Sequence, residues 1–197
     1  MSSLRNDSAA TRVAEPTDTD DHNNVGTLGR YSLGLLRIVI GWTFVWAFVD
    51  KLFALGYSTG RNPDTGAVDR FGPDAWIHGG SPTYGFLAFG AKGPFKSFYN
   101  SIAGDTWADW AFMLGLLAIG TAFLFGVFTK LAAVAGAVMY LMMWSVVLPP
   151  DNNPVTDDHT IGLLVVIVLA AYSAGRYLGL GSWWERTDLV RKHPILK

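Results

Sequence analysis

The stretch YSLGLLRIVIGWTFVWAFV, residues 31–49, decides the fold, because a run this long carries a single charge, Arg37. A helix needs about 20 apolar residues, at about 1.5 Å each, to cross a hydrocarbon layer roughly 30 Å thick. Three more runs have the same character: ADWAFMLGLLAIGTAFLFGVF (108–128), LAAVAGAVMYLMMWSVVL (131–148) and IGLLVVIVLAAYSAGRYLGL (161–180). Composition agrees: half of the 197 residues are hydrophobic and 16% are charged, against about 25% charged in a soluble domain.

The expectation is therefore an all-α integral membrane four-helix bundle, its spans near 29–49, 108–128, 130–148 and 158–180. The first run exceeds a signal-peptide core and no small-residue cleavage site follows it, so it reads as a retained span. Residues 1–27, polar, acidic and free of aromatics, read as a disordered cytoplasmic tail. Residues 182–197 read as a basic cytoplasmic tail anchored by Trp183 and Trp184.

Lys and Arg flank the chain asymmetrically. Arg5, Arg12 and Arg30 precede span 1, Lys130 occupies the tight turn after span 2, and Arg176, Arg186, Arg191, Lys192 and Lys197 follow span 4, whereas 149–158 has no basic residue. By the positive-inside rule both termini face the cytoplasm, in a multi-pass plasma-membrane protein. The 50–107 loop then faces outward. Within it GPFKSFYNSIAG (93–104) puts Phe95, Phe98, Tyr99 and Ile102 on one helical face behind Pro94, which predicts a short amphipathic helix at the outer headgroup layer.

Helical spacing sorts the polar residues. Gly34, Arg37 and Gly41 share a face, and small residues let helices approach in lipid, so Arg37 points into the bundle, roughly 13 Å deep. An intramembrane arginine without a carboxylate at its depth is a functional candidate by default, with Tyr140 and Ser173 as neighbours; the alternative is that it bonds backbone carbonyls. Lys51 falls on the same face of span 1, at its outer end. In LPPDNNPVTDDHTIGLL (148–164), Asp158 and His159 lie four and three residues before Gly162 and lean toward the bundle mouth, near Trp144. Thr156 or Asp157 serves equally as a helix N-cap, which explains the acids without chemistry. A histidine beside carboxylates changes protonation near neutral pH and suits general acid catalysis.

The chain has no cysteine, which excludes disulfides, thiolate catalysis and cysteine-bound iron–sulfur clusters. Of four histidines, His22 and His193 lie in the tails, so no bis-histidine haem between spans is expected. Adjacent acids and His159 lack metal-ligand spacing, and a near-neutral charge suggests no nucleic-acid partner. Redox chemistry would need a diffusible acceptor or a partner chain.

The glycine-bracketed Arg37, FVDKL (48–52), the aromatic GPFKSFYNSIAG and LPPDNNPVTDDH before the last span together resemble the DoxX/DoxD family. The similarity covers about residues 28–193 and is nearest to actinobacterial members described as thiosulfate dehydrogenase (quinone) large-subunit-like. It implies a membrane subunit of an oxidoreductase that passes electrons to quinone, with thiosulfate or a related sulfur compound as donor. It supplies no catalytic set, so the candidate residues stand on position alone. His159, Asp158 and Arg37 are the catalytic candidates, with Lys51, Trp46, Trp144 and Tyr140 around the quinone, and Lys92 and Lys96 as further cations for an anionic donor. A noncatalytic accessory subunit of a respiratory or redox-stress complex and a small-solute transporter are the competing readings. The expected partners are the lipid bilayer, a second oxidoreductase or respiratory subunit, and further copies of the chain.

Overall fold

The computed structural model describes residues 25–196. The expected acidic tail lies almost wholly outside them. The described residues are helical, with no strand and one isolated bridge between Arg61 and Val68.

Three helices are apolar and long enough to cross a membrane: α1 (Thr27–Phe53), α3 (Thr106–Phe125) and α4 (Thr129–Val146). Between α1 and α3 runs the long loop, which contains α2 (Lys96–Ser101). Then come α5 (Asp158–Ala171), α6 (Gly181–Trp184) and α7 (Asp188–Lys192). α1 ends where Ala54 turns left-handed at φ 52° and its N–H bonds the Asp50 carbonyl. Gly126, at φ 74°, stops α3 in the same way on the Ala122 carbonyl, a conformation that glycine adopts without a Cβ penalty. α5 starts with a full capping box: the Asp157 carboxylate accepts from the backbone N–H of His159 and Thr160, and the Thr160 hydroxyl accepts from the Asp157 N–H.

The fourth run departs from expectation. α5 has 14 residues, only about 21 Å of helix, and stops at Ala171 rather than reaching 180. Ser173 then takes φ 49° and Ala174–Arg176 forms a short 3-10 turn. The chain folds back on the turn between α3 and α4, with Leu180 N–H donating to the Phe125 carbonyl at 2.8 Å. A Cβ on Gly126 would lie 2.7 Å from the Gly175 carbonyl oxygen, so this reversal depends on glycine at the crossing.

α1 and α3 touch through Gly41 and Gly120. A Cβ on Gly41 would lie 2.7 Å from the Leu124 nitrogen, and one on Gly120 would lie 2.8 Å from the Val45 nitrogen. Close backbone approach of this kind replaces the hydrophobic effect, which lipid does not supply between helices. Phe44, Met113, Leu116, Ile119, Phe123, Ala132, Val166 and Leu169 form one core drawn from α1, α3, α4 and α5.

The amphipathic helix is shorter than its sequence pattern. Gly93–Phe95 is a 3-10 turn and α2 has six residues, with Tyr99 buried while Phe95 and Phe98 stay exposed. Tyr99 packs with Leu87, Ala91 and Val146, and its hydroxyl pairs with Ser145 Oγ at 2.6 Å.

Candidate functional site

Two buried carboxylates fix the long loop against the helix ends. Asp50, 1% exposed, accepts from the backbone N–H of Tyr57 (3.1 Å), Ser58 (2.9 Å) and Thr59 (3.1 Å) and from the Ser58 hydroxyl (2.6 Å). Asp109, in the first turn of α3, accepts from the Ser81 hydroxyl (2.8 Å), the Thr83 N–H (3.2 Å) and the Thr83 hydroxyl (2.6 Å). A buried carboxylate is retained only when such donors replace its water. Each acid thus sets the position of a polar loop segment, 57–59 and 81–83.

Between those segments and the facing sides of α3 and α4 lies a cavity of about 990 Å³. This is near the upper end of small-molecule sites, about 300–1,000 Å³. One wall is apolar, with Phe112, Ile119, Met139 and Met143, and its loop end carries Lys51, Ser58, Thr59, Arg61 and Asp74. Trp107, Val138 and Met142 line it and are 60%, 52% and 52% exposed, so the cavity opens sideways between α3 and α4. Gly115 makes room for the Met139 methyl group, which would lie 2.6 Å from a Cβ there. No family model, curated protein or solved structure matches the chain.

Of the sequence candidates, Lys51 lines the cavity. Its Nζ donates to Ser58 Oγ at 2.9 Å. Trp46 lies instead in a separate groove of about 390 Å³ with Trp42, Tyr57 and Asp50. Trp144 donates its indole N–H to the Val155 carbonyl at 2.8 Å, pinning the 148–157 loop. Lys92 pairs with Asp151 at 2.6 Å between two loops, and Lys96 is exposed on α2. A shared mouth of Lys51, Trp144 and His159 does not form.

At the start of α5 the pairing differs from the expected one. His159 Nδ1 meets Asp157 Oδ2 at 2.6 Å, while Asp158 is exposed. Burial pushes the Asp157 carboxyl upward, but hydrogen bonds from the His159 ring and the Thr160 and His159 N–H groups outweigh it and hold the acid below its ordinary value. The His159 ring faces Tyr140, centroids 6.5 Å apart. Tyr140 in turn fills the space over Gly162, where a Cβ would lie 2.5 Å from its ring, and packs edge-on to Phe44. The helical phase with Gly162 does bring His159 toward the bundle, onto a packed tyrosine rather than into a cavity.

Arg37 is completely buried. Its guanidinium donates to the carbonyls of Phe123, Leu124 (2.9 Å), Tyr177 (3.3 Å) and Leu178 (2.9 Å). Neither Tyr140 nor Ser173 is a partner. The carbonyls belong to the last turn of α3 and to the reversed segment after α5, where no continuing helix supplies N–H donors to them. Arg37 is thus a backbone clamp at the end of the bundle opposite the cavity.

From sequence, Asp50 reads as an interfacial anchor at the end of span 1, pointing away from the Lys51 face, and Asp109 draws no attention; the structure makes both the anchors of the loop. The available signal was an acid at a helix end with a Ser/Thr pair nearby in sequence or across the loop, YST at 57–59 and SPT at 81–83.

Proposed function

We propose that the chain is the membrane subunit of a quinone-linked oxidoreductase, with the quinone held in the cavity between α3 and α4. The observation that carries this reading is the shape and polarity of that cavity. It has an apolar wall that opens sideways between α3 and α4 and a loop end that carries the Lys51 and Arg61 cations, complementary to a molecule with a hydrocarbon tail and a carbonyl-bearing ring. The reading places the ring by Lys51, Ser58 and Thr59 and the tail along the methionines. His159 and Asp157 then act as the cap of α5, and Arg37 as a structural clamp, rather than as catalytic groups. The DoxX/DoxD-like motifs supply the oxidoreductase part of the proposal, with thiosulfate or a related sulfur compound as electron donor, in partnership with a second redox subunit. α5 together with the returning segment 172–180 supplies the fourth membrane crossing, and both termini lie in the cytoplasm of a plasma-membrane protein.

The test uses the purified full chain in lipid nanodiscs. A short-tailed ubiquinone analogue is expected to quench tryptophan fluorescence saturably, and the quench should shrink in Trp107→Phe. Membranes with the protein are expected to reduce quinone with thiosulfate faster than membranes without it. Saturable binding with no gain in reduction would leave an accessory quinone-binding subunit, and solute uptake by proteoliposomes would point to transport. No saturable quench would sink the quinone reading altogether.

A further inference from the structure

The loop end of the cavity contains a connected set of side chains that the quinone reading alone does not require. Lys51 Nζ donates to Ser58 Oγ at 2.9 Å, and the Ser58 hydroxyl donates its own proton to Asp50 Oδ2 at 2.6 Å. Asp50 is the nearly inaccessible member; Lys51 and Ser58 line the cavity, whereas Asp50 lies with Ser58 at the smaller groove. Its carboxylate accepts four bonds, all from donors of 57–59, so it is held as an anion and the direction of every bond is fixed. With the Ser58 proton committed to Asp50, only a lone pair of Ser58 is left for Lys51. That defines where the ammonium sits and leaves two of its N–H groups without a protein acceptor among the described residues.

We infer that Asp50, acting through the Ser58 hydroxyl, is a positioning residue that aims Lys51 at the head group of the ligand in the cavity. This rests on the quinone-site reading and deepens it, because it specifies the head group by chemistry: an oxygen acceptor that gains negative charge, as a quinone carbonyl does on reduction. A fixed ammonium stabilises such charge without reorganising as it develops. Arg61, whose Nε is tied to the Gly56 carbonyl at 2.8 Å, adds a second cation at the same end, and Asp74 on the rim offsets one of the two. The set carries net positive charge among the residues that line the cavity, while its anion, Asp50, is buried and outside that lining.

The decisive variant is Ser58→Ala, since the three backbone N–H groups still satisfy Asp50 and hold the loop. Losing the orienting bond is expected to weaken binding of the ubiquinone analogue to the full chain in nanodiscs about tenfold, the size of a lost charge-assisted hydrogen bond. Ser58→Thr, which keeps the hydroxyl, should restore it. A second readout needs no quinone. Acylation of Lys51 by an amine-reactive probe at fixed pH, followed by mass spectrometry, should be about tenfold faster in Ser58→Ala and return to the parent rate in Ser58→Thr. If the analogue binds and neither binding nor acylation changes in Ser58→Ala, the positioning role is overturned while the quinone site stands. If the analogue does not bind at all, the quinone reading falls and the acylation rates alone decide whether Asp50 and Ser58 hold Lys51.

Discussion

Arg37 illustrates how a single side chain can look functional in sequence and act structurally in three dimensions. Placing its charge within a span costs about 2.5–3.5 kcal/mol, yet it satisfies four carbonyls that lipid would leave bare at a cost of several kcal/mol each. The second effect is larger, so Arg37→Met should lower stability by about 3 kcal/mol, read as a fall in the unfolding midpoint in detergent. Arg37→Lys should recover only part of that, because an ammonium cannot match the planar fork that serves two chain segments at once. Asp157 offers a pH-dependent counterpart. Its folded carboxyl titrates below the ordinary 3.8, so its contribution is complete above about pH 4 and disappears as the pH falls through the lower folded value. Asp157→Ala should therefore cost about 1 kcal/mol at neutral pH and progressively less below pH 3.8. Equal unfolding midpoints for parent and variant at neutral pH would refute the cap.

The existence of α1, α3 and α4 was legible in the sequence because uninterrupted apolar length is the property a bilayer reads. So was the inward face of Gly34, Arg37 and Gly41, all buried, because small residues at helical spacing mark close packing. The end of α5 was not legible. Residues 161–180 form a largely apolar run in which Ser173 and Arg176 are compatible with a continuing helix, and what stops the helix at Ala171 is the docking of Gly175 on Gly126 and the demand of Arg37 for the Tyr177 and Leu178 carbonyls, contacts with segments distant in the chain. The cavity was invisible for the same reason. Its loop end is assembled by Asp50 and Asp109 from stretches separated by more than one turn of helix, and of its contributors only Lys51 had been singled out. The α1–α3 contact carries its own test: Gly41→Val would drive a branched side chain into the Leu124 nitrogen, and overpacking of this kind costs about 1–3 kcal/mol. An unchanged unfolding midpoint would mean that the helices are not held as close as this.

The molecule as a whole has two unlike ends. One carries the long loop, the cavity and its cations; the other carries the α3–α4 turn, the Arg37 clamp and the C-terminal segment, where Trp184 packs on Phe128 and donates to the Leu196 carbonyl at 2.7 Å. The proposed orientation puts the cavity end outside. Because the chain lacks cysteine, single substitutions report sidedness directly: Asn152→Cys should react with an impermeant maleimide added to intact cells, and Lys130→Cys only after lysis. The reverse pattern would invert the topology. Filling the cavity by Ala111→Trp should abolish binding of the quinone analogue while leaving the fold intact, measured by the same fluorescence titration and by thermal unfolding. The clamp also has a consequence in time. The carbonyls that receive Arg37 lie 86 to 141 residues further along the chain, and at a synthesis rate of about 5–20 residues per second they emerge roughly 5–30 s after it. For that interval α1 carries a charge with nowhere to bond, so it must wait at the interface or in the care of the insertion machinery until the segment after α5 has been made.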